Sequence, residues 1–234
     1  MLPLRDSEAS RRLTPANTLL ILANVAVFAL EVRLGPNARP LLARFAMVPV
    51  RISHRGAASG GQGLWSLATL VTSLFLHASP LHIAGNMLYL FIFGPAVEQS
   101  MGFVRYLWFY LVAGIAAGLA MVAMGPDSRI AVIGASGAIA GVLGAYFVLY
   151  PRGRITTILP IFIFIQFVEI PAVFYLLVWF AVQLYAGIAS GAQGPLVGGV
   201  AWWAHVGGFL FGVGAAPIVV HRSSRRKYSQ AKKR

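Results

Sequence analysis

The chain has 234 residues, of which 58% are hydrophobic and only 11% are charged, and its formal net charge is +13. A soluble domain is about one quarter charged, so this composition leaves too little polar surface for a protein that faces water on all sides. Long continuous apolar runs, with a mean hydropathy of +0.75, therefore exclude a soluble enzyme and predict an all-α membrane protein. A membrane β-barrel is disfavoured because the apolar runs do not alternate.

The positive charge is concentrated at the two ends of the chain. The basic residues outside the first and last apolar segments are Arg5, Arg11, Arg12, Arg222, Arg225, Arg226, Lys227, Lys232, Lys233 and Arg234. Basic tails can bind nucleic acid, but beside a hydrophobic segment they more often set membrane orientation and contact anionic lipid. We therefore expect a lipid bilayer as partner, with anionic lipid at the basic C-terminal tail, and no nucleic acid. The absence of cysteine excludes disulfides and thiolate chemistry.

Three parts follow one another along the chain. Residues 1–16 are predicted as a cytoplasmic N-terminal tail, residues 17–221 as a six-helix membrane domain, and residues 222–234 as a basic cytoplasmic tail. The six predicted transmembrane helices are Thr18–Val32, His82–Glu98, Val104–Met124, Ile133–Tyr150, Pro171–Ser190 and Val200–Val220. The first of them lacks a clear small-residue cleavage site, so we interpret it as a retained helix and not as a signal peptide.

The first connection is long and has its own apolar segment. Within residues 34–80, Leu64–Leu76 is too short and broken to span a bilayer, so we expect a partly membrane-embedded loop with short helices. A polar patch at residues 59–63 precedes this segment. The later connections are shorter and include a charged turn at Arg152 and Arg154, and a Gly-rich turn at residues 191–199.

Six spans place both chain ends on one side of the membrane, and the basic ends indicate that this side is cytoplasmic. The first loop does not agree, because it carries Arg39, Arg44, Arg51 and Arg55 on the outer side. Long loops cross a membrane with weaker regard for charge, so we keep this topology. The compact form predicts a multi-pass integral protein of a prokaryotic plasma membrane.

Polar residues from three predicted helices share one depth in this topology. Helices two, four and six all start outside, which places His82, Asn86, Ser136 and His205 in the outer half of the membrane. Polar groups are costly there and tend to mark function. A serine is a poor nucleophile unless a base takes its proton. We therefore predict Ser136 as nucleophile and His205 as its general base.

The spacing of small residues predicts that these helices approach closely. Ser136 is followed by Ala140 and Gly144 on one face of helix four, and His205 by Gly208 and Gly212 on one face of helix six. His82 and Asn86 lie one turn apart on helix two and could stabilise an oxyanion, together with the backbone N–H of Ser136. The spans hold no aspartate that could orient His205, so a Ser–His dyad is the most that the residues indicate.

Each feature also has a purely structural interpretation. Gly-Ala-Ser-Gly runs usually serve helix packing, and a single intramembrane histidine is often a hydrogen-bond partner. His77 and His82 could pair on a metal, but no carboxylate or thiolate accompanies them. We interpret Glu98 and Glu169 as helix-end or turn residues, and Trp202 and Trp203 as an interfacial anchor. The shared depth of the polar residues is what favours chemistry.

Four short motifs resemble those of the rhomboid family of intramembrane serine proteases. They are Phe75-Leu76-His77-Ala78-Ser79-Pro80-Leu81-His82-Ile83-Ala84-Gly85-Asn86-Met87, Glu98 with Gly102, Gly134-Ala135-Ser136-Gly137, and Ala204-His205-Val206-Gly207-Gly208 running to Gly212. The resemblance covers about residues 64–213 and implies a six-transmembrane-helix bundle. It implies Ser136 and His205 as the catalytic pair, and His82, Asn86 and the Ser136 amide as the oxyanion hole. It implies structural support from His77, Glu98, Gly134, Gly137, Gly208 and Gly212.

The implied reaction is hydrolysis of peptide bonds in or next to transmembrane segments of membrane proteins, without a cofactor or a metal. Two positions depart from the resemblance: Trp65 is followed by Ser66 where many relatives have arginine, and Ala140 stands where some relatives stack an aromatic ring on the histidine. One alternative is a catalytically silent member that binds transmembrane clients. Another is a transporter or channel, which would need intramembrane charge pairs or a broken-helix ion site.

Overall fold

The computed structural model describes residues 2–8, 14–53, 63–161, 164–190 and 201–220. Its six long helices are α1 Pro15–Leu34, α2 Pro80–Met101, α3 Phe103–Met124, α4 Ser136–Leu149, α5 Ala172–Ala189 and α6 Trp202–Val219. Five helices in this part of the chain are long and apolar enough to cross a membrane, and α4 is a shorter apolar helix. The prediction of a helical membrane bundle is confirmed. The polar patch at residues 59–63 (apart from Gly63), the Gly-rich turn at 191–199 and the basic tail at 222–234 lie outside the described residues.

The central helix of the bundle is α4. It begins at Ser136, three residues later than predicted, because Val132 pairs with Met47 in an isolated bridge and Gly134 has φ +120°. Its 14 residues give a length of about 21 Å, less than the roughly 30 Å of the hydrocarbon core. The helix is therefore shorter than the apolar layer that a transmembrane helix crosses.

Glycines bring α4 and α6 into backbone contact. A Cβ built on Gly208 would overlap the carbonyl oxygen of Gly137, and one built on Gly212 would overlap that of Gly141. The contacts advance together along both helices, so the two helices run parallel, as the small-residue spacing predicted. On another side of α4, a Cβ on Gly137 would lie 2.7 Å from the Cβ of Ala117 in α3.

A carboxylate joins the start of α1 to the end of α2. Glu98 accepts the backbone N–H groups of Ala16 at 3.1 Å and Asn17 at 2.7 Å, two donors that have no partner within their own helix. The side chain of Asn17 donates to the carbonyl oxygen of Leu90 at 3.1 Å and accepts the hydroxyl of Tyr106 at 2.7 Å. Glu98 therefore caps α1, which is why α1 begins earlier than the apolar run indicated.

The first loop contains short helices, as predicted, and these pack on α3. These elements are Arg39–Phe45, Pro49–Ile52, Gly63–Thr72 and the 3-10 turn Ser73–Phe75, with a further 3-10 turn at Gly35–Ala38. Leu70 and Leu74 fill the space over Gly118 and Gly114 of α3. Trp65 donates its indole N–H to the carbonyl oxygen of Arg44 at 3.0 Å, and the Arg44 guanidinium lies 5.2 Å from the Trp65 ring centroid. Trp65 therefore contacts an arginine from elsewhere in the loop, although the residue that follows it is Ser66 and not arginine.

A small antiparallel sheet lies at one end of the bundle and was not predicted. Its strands are β1 Leu2–Asp6, β2 Arg154–Ile161 and β3 Phe164–Pro171, in the order β1-β2-β3. Leu2 is paired with Ile158, and Thr156 with Glu169. Part of the expected N-terminal tail is therefore a strand. Its pairing places the start of the chain at the end of the bundle where α4 stops and α5 begins.

Candidate active site

A serine hydroxyl and a histidine ring meet where α4 and α6 begin. The Nε2 atom of His205 lies 2.8 Å from the Oγ atom of Ser136. Ser136 is the first residue of α4, and His205 is in the first turn of α6. The backbone contacts at Gly137 and Gly208 make this distance possible, because any larger residue would part the two helices.

Three side chains of α5 and α6 lie against the imidazole of His205. The Nδ1 atom of His205 lies 2.7 Å from Oε1 of Gln183 in α5. The ring of Trp179, one turn earlier in α5, has its centroid 6.0 Å from that of His205. The ring of Trp202 stands edge-on at 6.3 Å. Support for the ring therefore comes from α5 and α6 and not from the position of Ala140.

Two side chains of α2 converge on the loop that precedes Ser136. A Cβ built on Gly134 would lie 2.7 Å from Nε2 of His82 and 3.6 Å from Nδ2 of Asn86. The backbone of Gly134 is held there by its N–H, which donates to the carbonyl oxygen of Ser73 at 2.9 Å. Its φ of +120° is one that residues with a Cβ rarely adopt. Glycine is thus required both for this conformation and for the approach of the two nitrogens.

The hydrogen-bond partners assign opposite tautomers to the two histidines. The amide oxygen of Gln183 can only accept, so His205 carries its proton on Nδ1 and presents the Nε2 lone pair to Ser136. In His82 the Nδ1 atom accepts the backbone N–H of Ala78 at 3.4 Å, which leaves the proton on Nε2. With these partners, His205 presents a lone pair to Ser136 and His82 presents an N–H to the loop at Gly134.

His77 lies in the first loop, outside the membrane-spanning helices, and supports Asn86. Its Nε2 atom lies 3.0 Å from Nδ2 of Asn86, and its backbone N–H points at the carboxylate of Glu31 in α1, at 3.3 Å from Oε2. Burial, with a smaller effect from His82, lowers the pKa of His77 to about 4. A neutral His77 can accept from Asn86, which leaves the second amide hydrogen of Asn86 for another acceptor.

A cavity of about 790 Å³ joins these groups. It lies where α2, α4 and α6 begin and α5 approaches its end. The polar side chains among its lining are Ser79, His82, Asn86, Tyr89, Ser136, Gln183 and His205. The rest of the lining is largely apolar, including Leu81, Ile139, Leu143 and Trp179. The cavity can take an extended apolar chain and place a carbonyl group between the hydroxyl and the side-chain donors.

The remaining predicted residues take other places. Gly208 and Gly212 form the face of α6 that contacts α4, whereas Glu98 lies at the far end of α2, outside the cavity lining. Gln183 and Trp179 were not among the predicted site residues. Gln183 is the one amide in an α5 that holds no charged residue, and a lone polar side chain in a membrane helix is itself a functional signal.

The fold and the site define a multi-pass integral membrane protein with a serine–histidine pair in a cavity within the bundle. A family model described as the Rhomboid domain matches residues 64–222, more than half of the chain. The chain therefore belongs to the rhomboid family, as its motifs indicated.

Curated relatives from bacteria, plants and yeast are similar to parts of the chain. The Rhomboid protease GluP of Bacillus subtilis is 43% identical over 84 residues, which are 36% of this chain and 16% of the relative. RHOMBOID-like protein 6, mitochondrial, of Arabidopsis thaliana is 30% identical over 167 residues, 60% of this chain and 52% of the relative. Rhomboid protein 1, mitochondrial, of Saccharomyces cerevisiae is 30% identical over 154 residues, 63% and 40% respectively. The chain spans about half the length of these relatives or less.

Proposed function

We propose that the protein is an intramembrane serine endopeptidase that hydrolyses peptide bonds in or next to transmembrane segments of membrane proteins. The observation that carries the proposal is the 2.8 Å contact between the Ser136 hydroxyl and His205 within a largely apolar cavity. A serine hydroxyl needs an adjacent base to act as a nucleophile, and this contact supplies one. Similarity to a protein named a rhomboid protease supports the same reaction.

The reaction proceeds in two halves. The Ser136 oxygen attacks the carbonyl carbon of the scissile bond while Nε2 of His205 accepts the hydroxyl proton. The tetrahedral intermediate collapses as His205 returns that proton to the departing amine, which leaves the acyl group on Ser136. Water then attacks the ester with His205 again as base, and the new carboxyl terminus departs.

Three donors are available for the oxyanion of the intermediate. They are Nε2–H of His82, the second Nδ2–H of Asn86 and the backbone N–H of Ser136, which lies in the first turn of α4 where helical N–H groups lack internal acceptors. Loss of one such donor typically costs about 2.7–4 kcal/mol of transition-state stabilisation. These donors are fixed before substrate binds, since His77 holds Asn86 and Ala78 holds His82.

The substrate must arrive as an extended chain. A helical amide is already hydrogen-bonded, so the segment must unwind before its carbonyl group can reach Ser136. We therefore propose substrates that carry small or helix-breaking residues near the outer interface. Replacing such residues by leucine in a cleaved substrate slows cleavage, and unchanged rates would contradict this selectivity.

The proposed setting is a prokaryotic plasma membrane with both chain ends in the cytoplasm and anionic lipid against the basic tail. The pairing of β1 with β2 supports this topology in part. It places the N-terminal strand beside Arg152, in the turn after α4, and Arg154, the first residue of β2. Cytoplasmic turns are enriched in arginine and lysine. The active site then lies in the outer half of the membrane.

The test is cleavage of a transmembrane reporter by the purified protein in detergent, beside Ser136→Ala and His205→Ala. We expect cleavage by the parent and none by either variant, and labelling of Ser136 by a fluorophosphonate only in the parent. Equal cleavage by the variants would assign the activity to another nucleophile. Absence of both cleavage and labelling in the parent would favour the silent, client-binding alternative.

A further inference from the structure

We propose that Gln183 is a third member of the site, a positioning residue that fixes the tautomer and the ring orientation of His205. The proposal rests on the proposed proteolytic function of Ser136 and His205 and deepens it. It replaces the dyad that the sequence indicated with a Ser136–His205–Gln183 chain, assembled from α4, α6 and α5.

The geometry of the contact is that of a strong neutral hydrogen bond. Nδ1 of His205 and Oε1 of Gln183 are 2.7 Å apart, and the two residues are only 9% and 7% exposed. Because both side chains are buried, each satisfies this polar atom mainly through the other. The amide oxygen has no hydrogen to give, so the imidazole must donate and its Nε2 atom stays free to accept.

Among the described residues, no cavity-lining side chain offers a carboxylate that could orient His205 instead. The titratable groups that line the cavity with the imidazole are His82 and Tyr89 of α2, with the Ser136 hydroxyl on α4; α5 contributes Gln183 and the Trp179 ring. The rings of Trp179 and Trp202 lie beside the imidazole, but an indole has no hydrogen-bond acceptor that could hold a proton on Nδ1. Gln183 is therefore the residue that selects the tautomer.

A neutral acceptor suits this depth of the membrane. A carboxylate in the same place would have to be desolvated in an apolar layer, which is costly. An amide oxygen orients the ring without that cost, although it stabilises the imidazolium of the transition state less than a negative charge would. The arrangement thus favours a base that remains neutral until the serine proton arrives.

Gln183→Met tests the role of the acceptor. Methionine matches the length of glutamine but offers no strong acceptor to Nδ1, so the imidazole can turn over or move its proton to Nε2. We expect kcat for reporter cleavage to fall about 10- to 100-fold with KM little changed, because loss of a buried hydrogen bond costs that much. The rate of Ser136 labelling by the fluorophosphonate should fall in parallel.

Val182→Met provides the matched control. Val182 is the preceding residue of α5, is 53% exposed and does not line the cavity. The same methionine at this site should leave kcat, KM and labelling at parental values. A fall of similar size in both methionine variants would assign the effect to α5 packing and overturn the proposal.

Gln183→Glu provides a rescue that a merely structural role does not predict. An ionised glutamate again accepts from Nδ1, so kcat should recover above that of Gln183→Met. Its charge favours the imidazolium, so the acidic limb of the kcat profile should move to higher pH. An unshifted profile with no recovery relative to Gln183→Met would contradict the proposal.

A spectroscopic measurement separates this proposal from the proposed function. Nitrogen-15 NMR of histidine-labelled protein in detergent, with the His205 signals assigned by their loss in His205→Ala, reports the tautomer without any substrate. We expect the Nδ1–H form in the parent and in Ser136→Ala, and a shift towards the Nε2–H form in Gln183→Met. An Nε2–H form in the parent would overturn the role of Gln183 even in an active protease. An Nδ1–H parent that cleaves nothing would leave this role standing and contradict the proteolytic function.

Discussion

Substitution of Gly208 by alanine tests whether the reactive contact depends on the backbone contact between α4 and α6. The added methyl group would overlap the carbonyl oxygen of Gly137, a position well inside the 3.0 Å that real Cβ contacts respect. The Cβ atom is fixed by the backbone of α6 and the carbonyl oxygen belongs to the backbone of α4, so neither atom can rotate away. The helices must therefore separate by about 1 Å to restore ordinary contact.

That separation acts directly on the site, since Gly208 lies one turn below His205 and Gly137 follows Ser136. The 2.8 Å distance between Nε2 and Oγ would then exceed hydrogen-bond length. A displacement of about 1 Å between reacting groups can cost about 100-fold in rate. Overpacking of this kind also destabilises a protein by about 1–3 kcal/mol.

The assay compares Gly208→Ala with Gly214→Ala, in which the added methyl group meets nothing within 4 Å on the same helix. We expect Gly208→Ala to lose about 100-fold in reporter cleavage, to label slowly with the fluorophosphonate and to unfold at a lower temperature in detergent. Gly214→Ala should match the parent in all three. Parental activity and parental thermal stability in Gly208→Ala would refute the account of close α4–α6 packing.

Three further predictions concern the supporting groups. Asn86→Ala should lower kcat about 100- to 1,000-fold through loss of an oxyanion donor while leaving the unfolding temperature within a few degrees of the parent, and unchanged kcat would remove Asn86 from the oxyanion site. Glu98→Gln should lower the free energy of unfolding by about 1–3 kcal/mol, because the cap on α1 is weakened. Glu169→Gln is the control, since the Glu169 side chain is 60% exposed. Equal losses of stability in the two variants would contradict the capping role of Glu98. Because its folded-state pKa of about 4 lies below the ordinary value, His77 should make stability fall as pH decreases from about 6.5 to about 4. His77→Gln should flatten that dependence in denaturation curves, and an unaltered slope would show that other groups cause it.

Much of the bundle could be predicted because its signals are local. Apolar runs long enough to span a bilayer mark helices, and the fifth and sixth predicted helices end within two residues of α5 and α6. The convergence of Ser136 and His205 could be predicted because membrane topology alone aligns helices that start on the same side. Small residues at one-turn spacing then indicated which faces meet. The catalytic roles of these residues stay predictions until the variants are measured.

Contacts between segments that are distant in the sequence could not be predicted from local patterns. The β1–β2 pairing joins residues about 150 positions apart, and nothing in Leu2–Asp6 alone indicates its partner. The contact of Arg44 with Trp65 likewise depends on how the first loop folds back.

The sequence by itself determined the membrane class and the approximate positions of the helices, since both follow from composition and from spacing along one segment. Only the tertiary structure decided the partner of the His205 Nδ1 atom, because Gln183 lies on another helix, whereas the partner of the His82 Nδ1 atom is the backbone N–H of Ala78, four residues earlier. A base and a donor of the same residue type differ only in this respect. The proposed roles of His205 as base and His82 as donor therefore rest on their hydrogen-bond partners and not on residue identity.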